Sequence, residues 1–235
     1  MPDEAAAPPR SRAGRRRKGE PALSLDQIVS EALALLDEEG LDALSMRRLG
    51  TRVGAAATAV YWHVATKDEL MELVVDEVYG EIVVPDVEDP VGWRAAVTTC
   101  ASNLRAAILR HPWITSVLDE VGVTYRGPHL MRVSDRMLAL FEAAGFDLVR
   151  ADQALGTVLA YVTGMAGAEA AASRRVAGDE RSRTEALEAA EAAAEQYPRL
   201  QALYRAYRER GPADDDDFAD GLDVVLDGIE ARRGR

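Results

Sequence analysis

The chain has 235 residues, 48% of them hydrophobic, enough for one large domain or two small ones around a substantial core. No apolar run reaches the ~20 residues of a membrane helix, the charged N-terminus lacks the apolar stretch of a secretory leader, and the single Cys100 excludes an internal disulfide or a thiolate metal cluster. A net charge of −12 argues against nucleic acid as a partner, but Arg10, Arg12, Arg15, Arg16, Arg17 and Lys18 all precede an otherwise acidic body.

In chain order, residues 1–20 read as a basic, disordered arm. Alone it is either a solubilising tail or a contact for an anionic partner. The first helix starts at Ser24, where Gln27 completes a capping box and Leu23 staples onto Ile28. Ile28, Ala32, Leu35 and Leu36 follow helical spacing, and Gly40 closes the helix. Ser45 caps a short second helix, "MRRLGTRV", ending near Gly54. A third short helix is expected over Ala57 to Val64, and a fourth from the cap Thr66, with Glu69 three residues on, to about Val83.

"VPDVEDPVG" reads as a linker, broken by Pro85 and Pro90. Helical patterns resume in "WRAAVTTCASNLRAAILRH", "PWITSVLDEVG", "PHLMRVSDRMLALFEAAG", "LVRADQALGTVLAYVTGMAGAEAAA" and "FADGLDVVLDGIEARR". Residues 173–196 read as a mobile loop leading into an exposed helix, and Asp214 to Asp217 as a solvated helix start. No period-two alternation of useful length occurs, so the fold class is all-α: a basic arm (1–20), an N-terminal helical unit (21–82) and a larger helical domain (86–235).

Two short helices joined by a tight glycine turn and braced by a longer helix make a helix-turn-helix, whose second helix reads the major groove. Leu49, Val53 and Val60 are expected to fix that reader, and Gly54 to permit the turn. Ala55, Ala56, Ala57 and Ala59 leave the backbone free to approach DNA, and Thr58 offers a methyl and a hydroxyl. Tyr61 and His63 can donate to phosphates, and Trp62 is expected to pack beneath the helix. His63 has a second reading, as a partner of carbonyls at the helix end.

Residues 22–82, through "LSLDQIVSEALALLDEEGLDALSMRRLGTRVG" and "VYWHVATKDELMELV", resemble the DNA-binding domain of the TetR family of bacterial repressors. "YWHV…K" is similar to the tetracycline-repressor branch. The resemblance implies Arg47, Ala57, Thr58, Ala59, Tyr61, Trp62, His63 and Lys67 as DNA contacts. Arg15, Arg16, Arg17 and Lys18 then become arm contacts to a minor groove or phosphates.

Residues 86–235 resemble the effector and dimerisation domain of that branch more loosely, through "GWRAAV…LRAAILRHP", "EAAGF" and "FADGLDVVLDGIEA". The resemblance implies a homodimer through a four-helix bundle. Apolar stripes at Leu155, Leu159, Val162 and Met165, and at Leu222, Val225, Leu226 and Ile229, fit that interface. Gly156, Gly164 and Gly167 are read as allowing close approach. An unidentified small-molecule inducer is implied too, with Trp113, Tyr125, His129, Met137 and Tyr161 as candidate lining residues, and Trp93 and Met131 behind them.

The tetracycline–magnesium site fits poorly. "EIVVP" and Cys100 stand where that branch places a histidine and an asparagine, and Leu118 aligns with its magnesium-binding histidine, so the expected ligand is apolar and free of metal. No cofactor is expected. His63, His111 and His129 are scattered and no catalytic motif occurs, so the chain is read as no enzyme. The expectation is a cytoplasmic, ligand-responsive repressor on a palindromic DNA operator, with no membrane partner; the alternative is an activator, or a regulator governed by a partner protein or by no ligand.

Overall fold

A computed structural model describes residues 23–86, 92–117, 127–175, 180–210 and 215–233 of the chain, and these are helical, with no strand among them. The helices are α1 (Leu25–Glu39), α2 (Met46–Arg52), α3 (Ala57–Tyr61), α4 (Lys67–Gly80), α5 (Gly92–Arg110), α6 (Pro128–Ala143), α7 (Leu148–Arg175), α8 (Glu180–Ala193), α9 (Pro198–Arg210) and α10 (Asp215–Glu230). Tighter 3₁₀ turns cover Leu41–Ala43 and Pro112–Ser116. The basic arm, Tyr125, Leu118, Asp214 and most of the linker lie outside the described residues.

Local chemistry starts each of the first helices. Ser24, Ser45 and Thr66 each accept, through the side-chain oxygen, the amide N–H three residues on, at 3.2, 3.3 and 3.0 Å. The Glu69 carboxylate reaches back to the Ala65 amide at 2.7 Å, so α4 is capped from both directions. Gly40 ends α1 with φ 79° while its N–H reaches the Leu36 carbonyl at 2.9 Å.

Ile28, Val29, Ala32, Leu35 and Leu36 form the buried face of α1, against α2 and α4. Each fully buried leucine or isoleucine there contributes roughly 1.5–3 kcal/mol. α3 is shorter than its pattern predicts. The chain turns at Trp62 and His63, and Val64 is buried in the core instead of extending the helix. α4 also stops early, at Gly80. Beyond it the chain runs non-helically, with Ile82 and Val84 buried and Val83 exposed, and Arg136 Nη1 donates to the Val84 carbonyl at 3.2 Å.

In the larger domain, α7 is the central rod, packed by α5, α6 and α10. Ala151, Ala154, Leu155, Val158, Val162, Ala166 and Ala170 share its buried face. Trp93, Phe141 and Phe146 close the lower core with ring centroids 5.8 to 6.1 Å apart, so Trp93 is core, while Met131 is exposed. Arg105 grips Glu169 with two hydrogen bonds of 2.9 Å and lies over the Phe218 ring, tying α5 to α7 and α10.

In the region read as a loop into an exposed helix, that helix is present as α8, Glu180–Ala193, and residues 176–179 lie outside the described residues. α7 continues to Arg175, and α8 and α9 then form a hairpin held by Glu191 with Arg205 and Arg208 at 2.9 and 3.1 Å. The pattern missed α9 because its apolar residues Leu200, Leu203 and Tyr207 never converge on a core.

Candidate nucleic-acid interface and effector chamber

α2 and α3 form the expected helix-turn-helix. Leu49 and Val60 are fully buried between them, Val53 is partly buried, and Gly54 makes the turn at φ 65°. A second glycine matters as much. The Gly50 carbonyl accepts the Ala55 N–H at 2.8 Å, and a Cβ on Gly50 would meet the Ala55 carbonyl oxygen at 2.9 Å and the Ala57 nitrogen at 3.1 Å. Gly50→Ala is therefore expected to destabilise the domain by about 1–3 kcal/mol, despite alanine's better helix propensity. Urea denaturation against the exposed neighbour Thr51→Ala checks this; equal midpoints would mean the two backbones separate at no cost.

The reader is held by charge as well. Arg52 pairs with Glu31 at 3.2 Å and with Glu38 at 2.5 Å, and Arg48 pairs with Glu39, so α2 is strapped to α1. Arg48 is thus a bracing residue and no free neighbour of Arg47. By contrast Arg47, Thr58, Tyr61, His63 and Lys67 are exposed and their side-chain donors have no protein partner among the described residues. Ala57 and Ala59 are half-buried at the helix start, where no long side chain screens the backbone. Trp62 is corrected: at 88% exposed it packs beneath nothing, and its indole is presented to solvent with the other reader residues.

The predicted lining residues separate. Met137 does line a chamber enclosed by α4, α5, α6 and α7, together with Tyr79, Ile82, Cys100, Leu104 and Ser134. Leu155 and Leu159, read as dimer contacts, line it as well. Three candidates face elsewhere, because an acid or a carbonyl already holds each polar edge. The Trp113 indole donates to Asp37 at 2.8 Å, His129 Nδ1 lies 3.1 Å from the Asp76 carbonyl oxygen, and the Tyr161 hydroxyl donates to the Phe218 carbonyl at 2.8 Å.

The chamber holds only about 20 Å³ of free space, and no charged side chain lines it. Burial pushes the Cys100 thiol up to about 12, with the Arg132 charge opposing. Burial, then the Asp76 charge, raises the Tyr79 hydroxyl above its ordinary value. At pH 8 Cys100 therefore stays a thiol, and a disulfide reagent is expected to label it on the order of 1,000-fold more slowly in the folded chain than in urea. Equal rates would place the sulfur at the surface.

Most of the residues read as a dimer seam serve the core within one chain, while Leu159 is partly buried and Met165 exposed. Val162, Leu222, Leu226 and Ile229 are buried between α7, α10 and their neighbours, and Val225 partly so. Gly156 and Gly164 meet nothing within 4 Å, whereas a Cβ on Gly221 would collide with the Tyr161 hydroxyl; the close approach within the chain is made there. Outside this core, α7 and α10 border an open groove of about 660 Å³ lined by Arg150, Gln153, Thr157, Val224, Gly228 and Arg232. Val224, 72% exposed, crowns it.

A polar joint links the chamber to the reader-bearing domain. Asp76, buried on α4, accepts the amide N–H groups of Leu130 at 3.0 Å and His129 at 3.2 Å, the first amides of α6. Gly127, at the N-cap of α6, has no side chain to do this, so α4 caps α6 across the domain boundary.

Two family models match the chain: bacterial regulatory proteins of the tetR family over residues 28–74, and the tetracyclin repressor-like C-terminal domain over residues 85–233. The chain is 35% identical to an HTH-type transcriptional regulator of Saccharopolyspora erythraea, over 91% of this chain and 87% of that protein. It is 32% identical to the HTH-type transcriptional repressor DrrR1 of Streptomyces coeruleorubidus, over 94% of this chain and 84% of that one. The structure of ActR from Streptomyces coelicolor in complex with actinorhodin is similar, with a TM-score of 0.75 and 30% identity over 91% of this chain and 99% of that one.

Proposed function

The chain belongs to the TetR family of bacterial regulatory proteins, and from that premise we propose that it is a transcriptional repressor, binding a palindromic operator as a homodimer and released by a small molecule. The carrying observation is the reader: Arg47, Thr58, Tyr61, Trp62, His63 and Lys67 offer solvent a set of hydrogen-bonding groups on a helix pair braced from behind. Side chains that donate to phosphates position a protein on DNA, and Arg47 or Thr58 at base edges would specify sequence. Arg15, Arg16, Arg17 and Lys18 add arm contacts in the same reading.

Release follows from α4. Its start carries Lys67, its last turn gives Tyr79 to the chamber, and Asp76 ties it to α6. A molecule that does not fit the present chamber must part α4 from α6 or α7, which tilts the reader. Decisive release needs a ligand preference of about 5 kcal/mol between the two states. The lining calls for a neutral, largely apolar ligand with one or two polar groups for Tyr79 and Ser134.

The chamber's small volume favours a second reading, in which a partner protein governs the same DNA-binding dimer. Footprinting of the purified chain on its own upstream DNA, with and without neutral aromatic molecules, tests both. Symmetric protection lost on addition supports release by a ligand. Protection indifferent to every molecule supports the second reading, and no protection of any palindrome sinks the proposal.

A further inference from the structure

One buried histidine has no part in the reader or the chamber. His111 is 3% exposed at the corner where α5 turns into the 3₁₀ segment Pro112–Ser116. Its Nδ1 lies 2.7 Å from Asp37 Oδ1, in the last turn of α1, and its Nε2 lies 3.1 Å from Glu81 Oε1, just past α4. Three elements distant in sequence therefore meet on one imidazole. Asp37 Oδ1 also accepts the Trp113 indole N–H at 2.8 Å, and the second oxygen of Glu81 pairs with Arg110.

The arrangement is directional. Asp37 on α1 and Glu81, the C-cap of α4, belong to the reader-bearing side, while His111, Trp113 and Arg110 belong to the larger domain. The ring cannot turn without losing both carboxylates. The neighbouring Trp113 ring, edge-on with centroids 6.3 Å apart, walls one side. Apolar packing between domains tolerates small slides, but hydrogen bonds weaken steeply once misaligned, so such a clasp fixes an angle.

We propose that His111 is the positioning residue that sets the angle between the helix-turn-helix domain and the larger domain, by clasping α1 through Asp37 and the end of α4 through Glu81. In the regulator reading, this angle governs the spacing of two readers on DNA, so the clasp opposes any tilt of α4. The geometric claim does not depend on DNA or on a ligand.

The test is a distance within one chain. Nitroxide labels are placed on the full-length protein at the exposed positions Ser30 on α1 and Ser102 on α5, by S30C and S102C, with the buried Cys100 replaced by serine and labelled chains diluted in unlabelled ones. Pulsed dipolar spectroscopy should give a narrow distance distribution for this parent. His111→Phe, which keeps a ring of similar size without its nitrogens, is expected to at least double the width. Asp37→Ala with Glu81→Ala, which spares the buried site, is expected to do the same if His111→Phe fails to fold.

A residue that served folding alone would lower the melting midpoint and leave the folded distribution as narrow as in the parent. That outcome, in whichever of the two variants folds, overturns the proposal. It would leave the DNA-binding reading untouched, just as a failed footprint would leave the clasp untouched.

Discussion

Val224→Glu is expected to leave a single-chain species in solution and to weaken binding to a palindromic operator by at least ~100-fold, the gap that commonly separates specific from non-specific DNA binding. Val224 is the large apolar side chain most exposed on α10, and it stands over the groove between α10 and α7. Gly228 lines the same groove and has open space at its Cβ position, as do Gly156 and Gly164 on α7, where Met165 is also exposed. A second copy applied to this face would bury these groups, as a symmetric interface requires. A carboxylate there would lose its water on association beside the like-charged Asp220, a cost that Arg150 and Arg232 at the rim of the groove offset only in part, while Asp223 and Asp227 are already paired with Arg94. Because the side chain points away from its own chain, the monomer's melting is expected to be unaltered. Sedimentation velocity and fluorescence anisotropy on a palindromic duplex read the two effects. A dimer of unchanged affinity would move the interface off this face.

The first four helices were legible because their signals are local. Ser24, Ser45 and Thr66 reach only three residues ahead, and Gly40 and Gly54 act through their own φ. The end of α3 was not, because Val64 is taken into the buried core, and no spacing rule within the segment reports that burial. The apolar stripes of α7 and α10 were read correctly as stripes, but Val162, Leu222, Leu226 and Ile229 in them are buried within one chain. Each helix satisfies its inner face inside one chain, and exposure of Val224 appears only once both helices are packed.

The site divides along the same line. The proposed reader is one contiguous segment, so Arg47, Thr58, Tyr61, His63 and Lys67 could be named together from sequence, and the structure exposes all of them along with Trp62, whose placement differed from the expectation. The chamber takes its walls from four helices, and Tyr79, Cys100 and Ser134 share nothing in sequence. Polar-edged aromatics were reasonable lining candidates by composition. Trp113 and His129 were nevertheless claimed by Asp37 and Asp76, acids more than fifty residues upstream that give no warning of the pairing.

Asp76→Ala is expected to lower the unfolding free energy by about 2–4 kcal/mol, combining a lost helix cap with amide donors left unpaired near the core. The size follows from the position. Gly127 supplies no cap of its own and Pro128 occupies the first helical position, so the His129 and Leu130 amides depend on the Asp76 carboxylate, which also sits favourably at the positive end of α6. Asp76→Asn keeps one acceptor but turns an amide group toward the other donor, and its midpoint should fall between wild type and alanine. A titration gives an independent readout. The Tyr79 hydroxyl is held above its ordinary value first by burial and then by the Asp76 charge, so alanine at 76 should lower its titration point while burial keeps it above that of an exposed tyrosine. Near-ultraviolet absorbance of the folded variant at alkaline pH follows that change. If Asp76→Ala melts like wild type and Tyr79 titrates as before, the joint between α4 and α6 is not where the two domains are tied, and motion of the chamber wall would have to reach the reader by packing alone.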